Sequence, residues 1–248
     1  MAIQKPYNDL LTRLDNTRLP QHIGIIMDGN GRWAAAAGKA RTFGHKAGAE
    51  ALRRAAEICR EIHIPVLTVF AFSTENWRRP PAEIDFLMRL LGQYLQQELS
   101  LLQKENIRLN GLGDWSILPA HIRQLYDEAK QATANNSEMT LNLAVNYGAR
   151  QEIVRAAQRL ATATQAGELK VHEIDEEMFA AQLETASQPE LDLLIRPAGE
   201  LRLSNFLLWQ AAYAELFFTP LMWPEFSKRD ILLAIIDFQT RFRRFGSI

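Results

Sequence analysis

The chain has 248 residues, 47% hydrophobic and 23% charged, a globular composition large enough for a sizeable core in one domain. A formal net charge of −1 excludes a global basic field for nucleic acid, so any anion site must come from locally placed Arg and Lys. The single cysteine Cys59, a polar 1–20 segment and the lack of any apolar run near ~20 residues exclude an intrachain disulfide, a signal peptide and a membrane span. These features point to a cytoplasmic protein that can still meet the inner membrane at its surface.

In chain order, residues 1–20 are expected to be a mobile N-terminal segment. His22 to Met27 reads as a first strand, Pro65 to Phe72 as a second, Ile107 to Leu112 as a third and Met139 to Val145 as a fourth. Leu191 to Ile195 is a fifth and Glu215 to Thr219 a weaker sixth. The runs are apolar throughout rather than alternating, as expected for strands covered on both faces. Between them, Phe43 to Ile62 repeats Ala47, Ala51, Ala55, Ile58 and Ile62 at helical spacing. Pro80 and Pro81 introduce a helix over Ile84 to Leu102, and further helices are predicted at Pro119 to Ala132, Arg150 to Thr164 and Asp175 to Glu184. A last helix starts at the capping-box pattern Ser227-Lys228-Arg229-Asp230 and carries Ile231, Ile235, Phe238, Phe242 and Phe245 down one side. The alternation predicts a single α/β domain with a central, mainly parallel sheet of about six strands flanked by helices.

Ligands of such sheets bind beyond the carboxyl ends of the strands. There the first strand runs into Asp28-Gly29-Asn30-Gly31-Arg32-Trp33, and the second into Ser73-Thr74-Glu75-Asn76-Trp77-Arg78-Arg79. The fourth runs into Asn146-Tyr147-Gly148 and the fifth into Arg196. Gly29 to Ala34 fits G-x-G-x-x-A, with Glu50 about 20 residues on, which is the dinucleotide fingerprint of an NAD-dependent oxidoreductase. Asp28 opposes that reading, because a carboxylate before the first glycine repels a bare pyrophosphate. A magnesium ion removes the objection: Mg²⁺ takes one or two carboxylates together with substrate phosphates. The glycines then admit backbone N–H groups to the phosphate, and Arg32, Arg41 and His45 complete an anion cradle. Arg196, Arg202 and Ser204 form a second cradle, since Arg binds phosphate bidentately, and two cradles imply two phosphorylated substrates. Glu215 opens an apolar run and is either a second metal carboxylate or the partner of an arginine.

These segments resemble the cis-prenyltransferases. The similarity rests on His22 to Trp33, Gly44-His45-Lys46-Ala47-Gly48, Ala71 to Trp77, Arg202-Leu203-Ser204-Asn205-Phe206 and Arg243-Arg244-Phe245-Gly246, which run in order over nearly the whole chain. The resemblance is strongest to bacterial undecaprenyl diphosphate synthases. It implies a homodimer that condenses farnesyl diphosphate with successive isopentenyl diphosphates, using Mg²⁺, to a carrier-lipid precursor for the cell wall. By motif, it implies that Asp28 holds the metal with Glu215. Gly29, Asn30, Gly31, Arg32, Arg41 and His45 would hold the allylic diphosphate, with Trp33 against the substrate. Arg196, Arg202, Leu203 and Ser204 would hold the incoming diphosphate, and Asn76 would be the proton acceptor. Ser73, Thr74, Glu75, Trp77 and Arg79 fall in the substrate loop. Pro197 and Leu201 depart from the family's Thr and His at those places. A catalytically silent subunit is the third reading, opposed by retention of Asp28, Asn76 and the arginines.

A neutral amide is a poor base, so Asn76 is expected to position or relay while a diphosphate oxygen or Asp28 takes the proton. A growing apolar chain needs a dry tunnel. Leu87, Leu91 and Leu95 on one face of Ile84 to Leu102, with Phe86, Leu90 and Tyr94 near another, suit a helix between core and tunnel or one simply buried in the core. Met139 or Leu141 is the expected tunnel floor.

Overall fold

The computed structural model describes residues 7–241. The elements in order are α1 (Tyr7–Leu11), β1 (His22–Ile26), α2 (Asn30–Ala36), α3 (Arg41–Glu61), β2 (Val66–Ser73), α4 (Pro81–Lys104) and β3 (Ile107–Leu112). Then follow α5 (Ala120–Ala132), β4 (Met139–Tyr147), α6 (Ala149–Gln165), α7 (Glu176–Ala180), β5 (Leu193–Arg196), β6 (Glu215–Phe218) and α8 (Lys228–Thr240). The six strands form one sheet in the order β3-β4-β2-β1-β5-β6, and every neighbouring pair is parallel.

The strand residues alternate between two apolar layers. Ile23, Ile25, Val69, Leu143, Val145 and Ile195 join the larger core with α3, α4, α5 and α8. Ile26, Ala144 and Leu194 face the smaller one with Phe206, Leu207 and Ala149. Both faces are thus covered, which is why the strands read as continuous apolar runs. α8 begins with the expected capping box: Ser227 N–H and Oγ–H both reach an Asp230 carboxylate oxygen, at 2.9 and 2.5 Å. Its Ile231 and Ile235 are fully buried in this chain's own core; Phe242, Phe245 and the Arg243-to-Gly246 motif lie outside the described residues. Of the segment expected to be mobile, residues 7–20 lie against α8: Leu10 is buried, and the Gln239 amide donates to Asp15 and Arg18 carbonyls. No helix among the described residues is long and apolar enough to cross a membrane.

The strand order fixes where a ligand belongs. From β1 the chain passes to β2, then to the edge strand β3, inserts β4 between β2 and β3, and then crosses to the other side of β1 for β5 and β6. The direction therefore reverses between β1 and β5, and the crevice beyond their carboxyl ends is the binding position of an open parallel sheet.

Candidate active site

Asp28 follows the end of β1 and Arg196 ends β5, so the switch point sets them side by side. The Arg196 Nη2–H donates to Asp28 Oδ2 at 2.9 Å. Arg196 Nη1 donates to Ser204 Oγ at 2.7 Å and to the Arg202 carbonyl, which fixes the guanidinium edge-on in the crevice. The Arg196 side chain is only 3% exposed, and its Nε is buried without a partner. A buried donor left over is a position a ligand acceptor can fill.

The turn after β1 depends on Gly29, whose φ of 99° lies in the left-handed region. A side chain there would also meet the Met222 sulfur at 2.9 Å and Ala198 at 3.0 Å. α2 starts at once, and it crosses α3 so closely that a Cβ at Gly44 would sit 1.9 Å from the Asn30 carbonyl oxygen. The close crossing brings His45 and Arg41 of α3 up to the turn. The Gly29 N–H donates to Asp28 Oδ1 at 2.7 Å, and Arg32 lies 3.4 Å from the same oxygen and 3.2 Å from Glu200.

A second ionic knot faces the first. Glu83, in the first turn of α4, lies 3.0 Å from Arg79, 3.4 Å from Arg41 and 3.6 Å from His45. Burial, then the neighbouring Arg79, pushes the His45 imidazole below its ordinary pKa. His45 Nε2 is buried with no hydrogen-bond partner, as are Asn30 Oδ1 and Thr74 Oγ1.

Asp28, Asn30, His45, Ser73, Glu75, Asn76, Arg79, Arg196, Arg202 and Ser204 surround one open cleft of about 590 Å³. Gly29, Gly31, Arg32 and Arg41 stand at its edge through the Asp28 and Glu83 contacts, with Gly31 against the Arg41 guanidinium. Five expected site residues are placed otherwise. Trp33 stacks on Phe43 with centroids 5.6 Å apart, outside the cleft lining. Trp77 donates its Nε1–H to Asn146 Oδ1 at 2.8 Å and packs edge-on against Phe72, so it ties the β2 turn to the β4 turn. Leu203 packs against the smaller core, and Thr74 lies in the β2 turn beside the cleft. Glu215 begins β6 level with Leu193 and Ile23. That is three strand residues, roughly 10 Å, short of the β1 end that carries Asp28. Its carboxylate pairs with Arg241 at 2.9 Å instead. Within this chain Asp28 and Glu215 are not brought together, and Glu215 has the arginine partner that the sequence also allowed.

Asn76 performs a visible backbone task. Its Oδ1 accepts the Ser73 N–H at 3.2 Å, capping the 3₁₀ turn Thr74–Arg78. The amide group it keeps for other partners is a donor NH₂. Sequence reasoning missed Glu83, the hub of the second knot, and Asn205, which donates to Glu75 at 2.9 Å. An acidic residue four after Arg79 was the available signal for the first.

Below the cleft lies an apolar channel between α3, α4, β2 and β4. It shares Met27, Asn30, His45, Ala71 and Leu87 with the cleft, and Leu90, Leu91, Leu143 and Val145 continue its wall. Met139 and Leu141, the expected floor, are buried core residues that do not line it. The cleft is polar and the channel apolar, so the site fits an amphiphile with an anionic head and a hydrocarbon tail.

Comparison with known proteins agrees. Residues 26–246 match the prenyltransferase family model described as undecaprenyl diphosphate synthase. The chain is 48% identical over 239 residues to an isoprenyl transferase of Heliobacterium mobile, covering 96% of this chain and 92% of that one. It is 48% identical over 236 residues to the ditrans,polycis-undecaprenyl-diphosphate synthase, (2E,6E)-farnesyl-diphosphate specific, of Pasteurella multocida, covering 95% and 98%. The crystal structure of lavandulyl diphosphate synthase from Lavandula x intermedia with dimethylallyl diphosphate superposes with a TM-score of 0.90 at 36% identity, covering 93% of this chain and all of that one. The matches replace the NAD reading, whose Glu50 sits exposed on α3 rather than at a strand end. The head-and-tail cleft at the β1–β5 switch point and a match over residues 26–246 lead to one assignment: the chain belongs to the cis-prenyltransferase family and is an isoprenoid-elongating transferase.

Proposed function

We propose that the chain condenses farnesyl diphosphate with successive isopentenyl diphosphates, with Mg²⁺, to a long-chain cis-polyprenyl diphosphate of the undecaprenyl type. The single observation that carries this reading is the continuity of the charged cleft with the apolar channel through Met27, Ala71 and Leu87. In this reading the chain works as a homodimer in the cytoplasm and releases its product at the membrane surface.

The allylic diphosphate is held by the Gly29-to-Arg32 turn with Arg41 and His45, its tail in the channel. The incoming isopentenyl diphosphate is held by Arg196, Arg202 and Ser204. Asp28 lies between the two cradles. Among the described residues no group of three His, Cys, Asp or Glu side chains could hold a metal alone. One carboxylate beside two diphosphate sites fits Mg²⁺, which favours substrate phosphates and water over an all-protein cage. When bound, the ion neutralises negative charge that grows on the leaving oxygen. The arginines add preorganised donors at the same place. Asn76, whose free NH₂ is a donor, orients a diphosphate oxygen toward the proton that leaves, and that oxygen accepts it.

The test is incubation with farnesyl diphosphate, labelled isopentenyl diphosphate and Mg²⁺, with chain-length analysis. Labelled polyprenyl diphosphate from wild type and its loss in Asp28→Ala are expected. No incorporation by wild type, or full incorporation by Asp28→Ala, overturns the reading.

A further inference from the structure

Three cavities lie in series along α4. The charged cleft opens into the apolar channel through several shared residues. The channel in turn meets a third cavity, of about 210 Å³, along α3 and α4, and among the described residues Tyr94 alone lines both. The chemistry changes across that side chain. Before it the walls are Leu87, Leu90, Leu91 and Val145; beyond it the charged side chains Arg53, Glu57, Arg60, Glu98 and Lys228 alternate with Ala56, Leu101, Leu102 and Ile107.

We propose that Tyr94 is the stop that sets product length, its ring closing the channel from the mixed charged and apolar vestibule beyond it. The proposal rests on the chain-elongation reading above. Glu98 follows Tyr94 by one helical turn and is buried to 5% exposure, held across to α3 by the Arg53 guanidinium at 3.2 Å. The ion pair braces α4 against α3 directly behind the tyrosine. Burial and the Glu98 carboxylate both raise the pKa of the Tyr94 phenol, so the ring meets the tail as a neutral wall. Each isoprene unit that fills the channel gains apolar contact, and the gain ends at Tyr94 because the phenol ring occupies the passage between the two cavities. The β4 residue Met139 pairs with Ile107, which lines the vestibule rather than the channel.

The test separates length from chemistry. Product distributions of wild type, Tyr94→Ala, Tyr94→Leu, Tyr94→Phe and Tyr94→Trp are read by mass spectrometry, alongside the single-turnover rate of the first condensation. Expected are products longer by at least one isoprene unit for Tyr94→Ala and Tyr94→Leu, shorter ones for Tyr94→Trp and unchanged ones for Tyr94→Phe. The first-condensation rate should stay within ~3-fold of wild type, because the reacting atoms are distant. Wild-type product length in Tyr94→Leu or Tyr94→Ala, or a shift of Tyr94→Leu and Tyr94→Trp in the same direction, overturns the proposal while elongation stands. If Tyr94→Ala does not fold, Tyr94→Leu, which keeps an apolar helix face, decides. Failure of wild type to elongate at all is a separate result, and it removes the parent reading instead.

Discussion

Asp28 Oδ2 and Arg196 Nη2 meet at 2.9 Å across the seam between β1 and β5, so the metal carboxylate and a diphosphate ligand of the proposed reaction neutralise each other. Glu200 does the same for Arg32 and Arg202. Carboxylates thus hold the arginines in binding geometry, and a diphosphate with its cation must compete with them. Removing the Asp28 charge frees Arg196 for anions but leaves no carboxylate for the cation. Asp28→Asn should therefore bind inorganic pyrophosphate ~10-fold more tightly in chelator, about 1.4 kcal/mol. Mg²⁺-dependent turnover should drop ~10²–10³-fold. Calorimetry in EDTA and a turnover assay read the two effects; weaker metal-free binding would contradict the pairing argument.

Asn76 is the second case where contacts decide between roles. With Oδ1 committed to the Ser73 N–H, its NH₂ faces the chemistry as a donor. Asn76→Asp keeps the cap but, in the proposed reaction, puts a negative charge where a diphosphate oxygen would take a donor. Its chemical step should be slower by ~10²-fold, as for loss of one preorganised donor. Single-turnover kinetics check this, and a faster step in Asn76→Asp would hand the base role back to this position.

The β2 turn carrying Ser73, Asn76 and Arg79 is tied to the β4 turn by Trp77. Trp77 Nε1–H donates to Asn146 Oδ1, and Asn146 Nδ2 donates to the Asp114 carbonyl. Asn146 is buried at a φ of 48°, so its side chain has little room to find another donor. Trp77→Phe leaves that oxygen unpaired, at a cost of about 1–3 kcal/mol. The expected signature is a lower melting temperature and a larger rise in KM than fall in kcat. A kcat collapse with KM unchanged would instead make Trp77 part of the chemistry.

The sheet was legible because each strand is buried on both faces and shows as an apolar run; β1 and β3 match their predicted starts. α2 was not: seven residues beginning directly at a left-handed Gly29 look like a turn in sequence. α7 is shorter than the predicted Asp175 to Glu184, ending at Ala180 after the Asp175 cap. The polar lining of the cleft was legible because most of it follows strand ends on one rim. The Trp33–Phe43 stack was not legible because it depends on how α2 crosses α3, a tertiary angle with no sequence period. Glu215 lies away from the rim in this chain because it opens β6 and the parallel register sets it level with Leu193. Glu83 was overlooked because Pro80 and Pro81 read as punctuation, while the helix they start turns its first carboxylate back onto Arg79.

His22 gives the last prediction, on stability against pH. It is fully buried at the start of β1, where Nδ1–H donates to the Pro189 carbonyl at 3.0 Å. Nε2 must then be the acceptor, and it takes the Thr68 hydroxyl at 2.7 Å; Thr68 Oγ1 in turn accepts from Asn142. The network suits only the neutral ring, and burial pushes the imidazole from 6.5 down to about 4. Below pH 6.5 the unfolded chain takes up a proton that the folded chain refuses. The stabilisation is therefore complete above 6.5 and lost as pH falls toward 4, amounting to on the order of 3 kcal/mol. Urea denaturation from pH 7.5 to 4.5 should show this acid loss in wild type. His22→Gln, less stable at neutral pH because it disturbs Thr68 and Asn142, should show a shallower slope over the same window. Equal slopes in the two proteins would mean that other groups, not His22, set the acid limit of this fold.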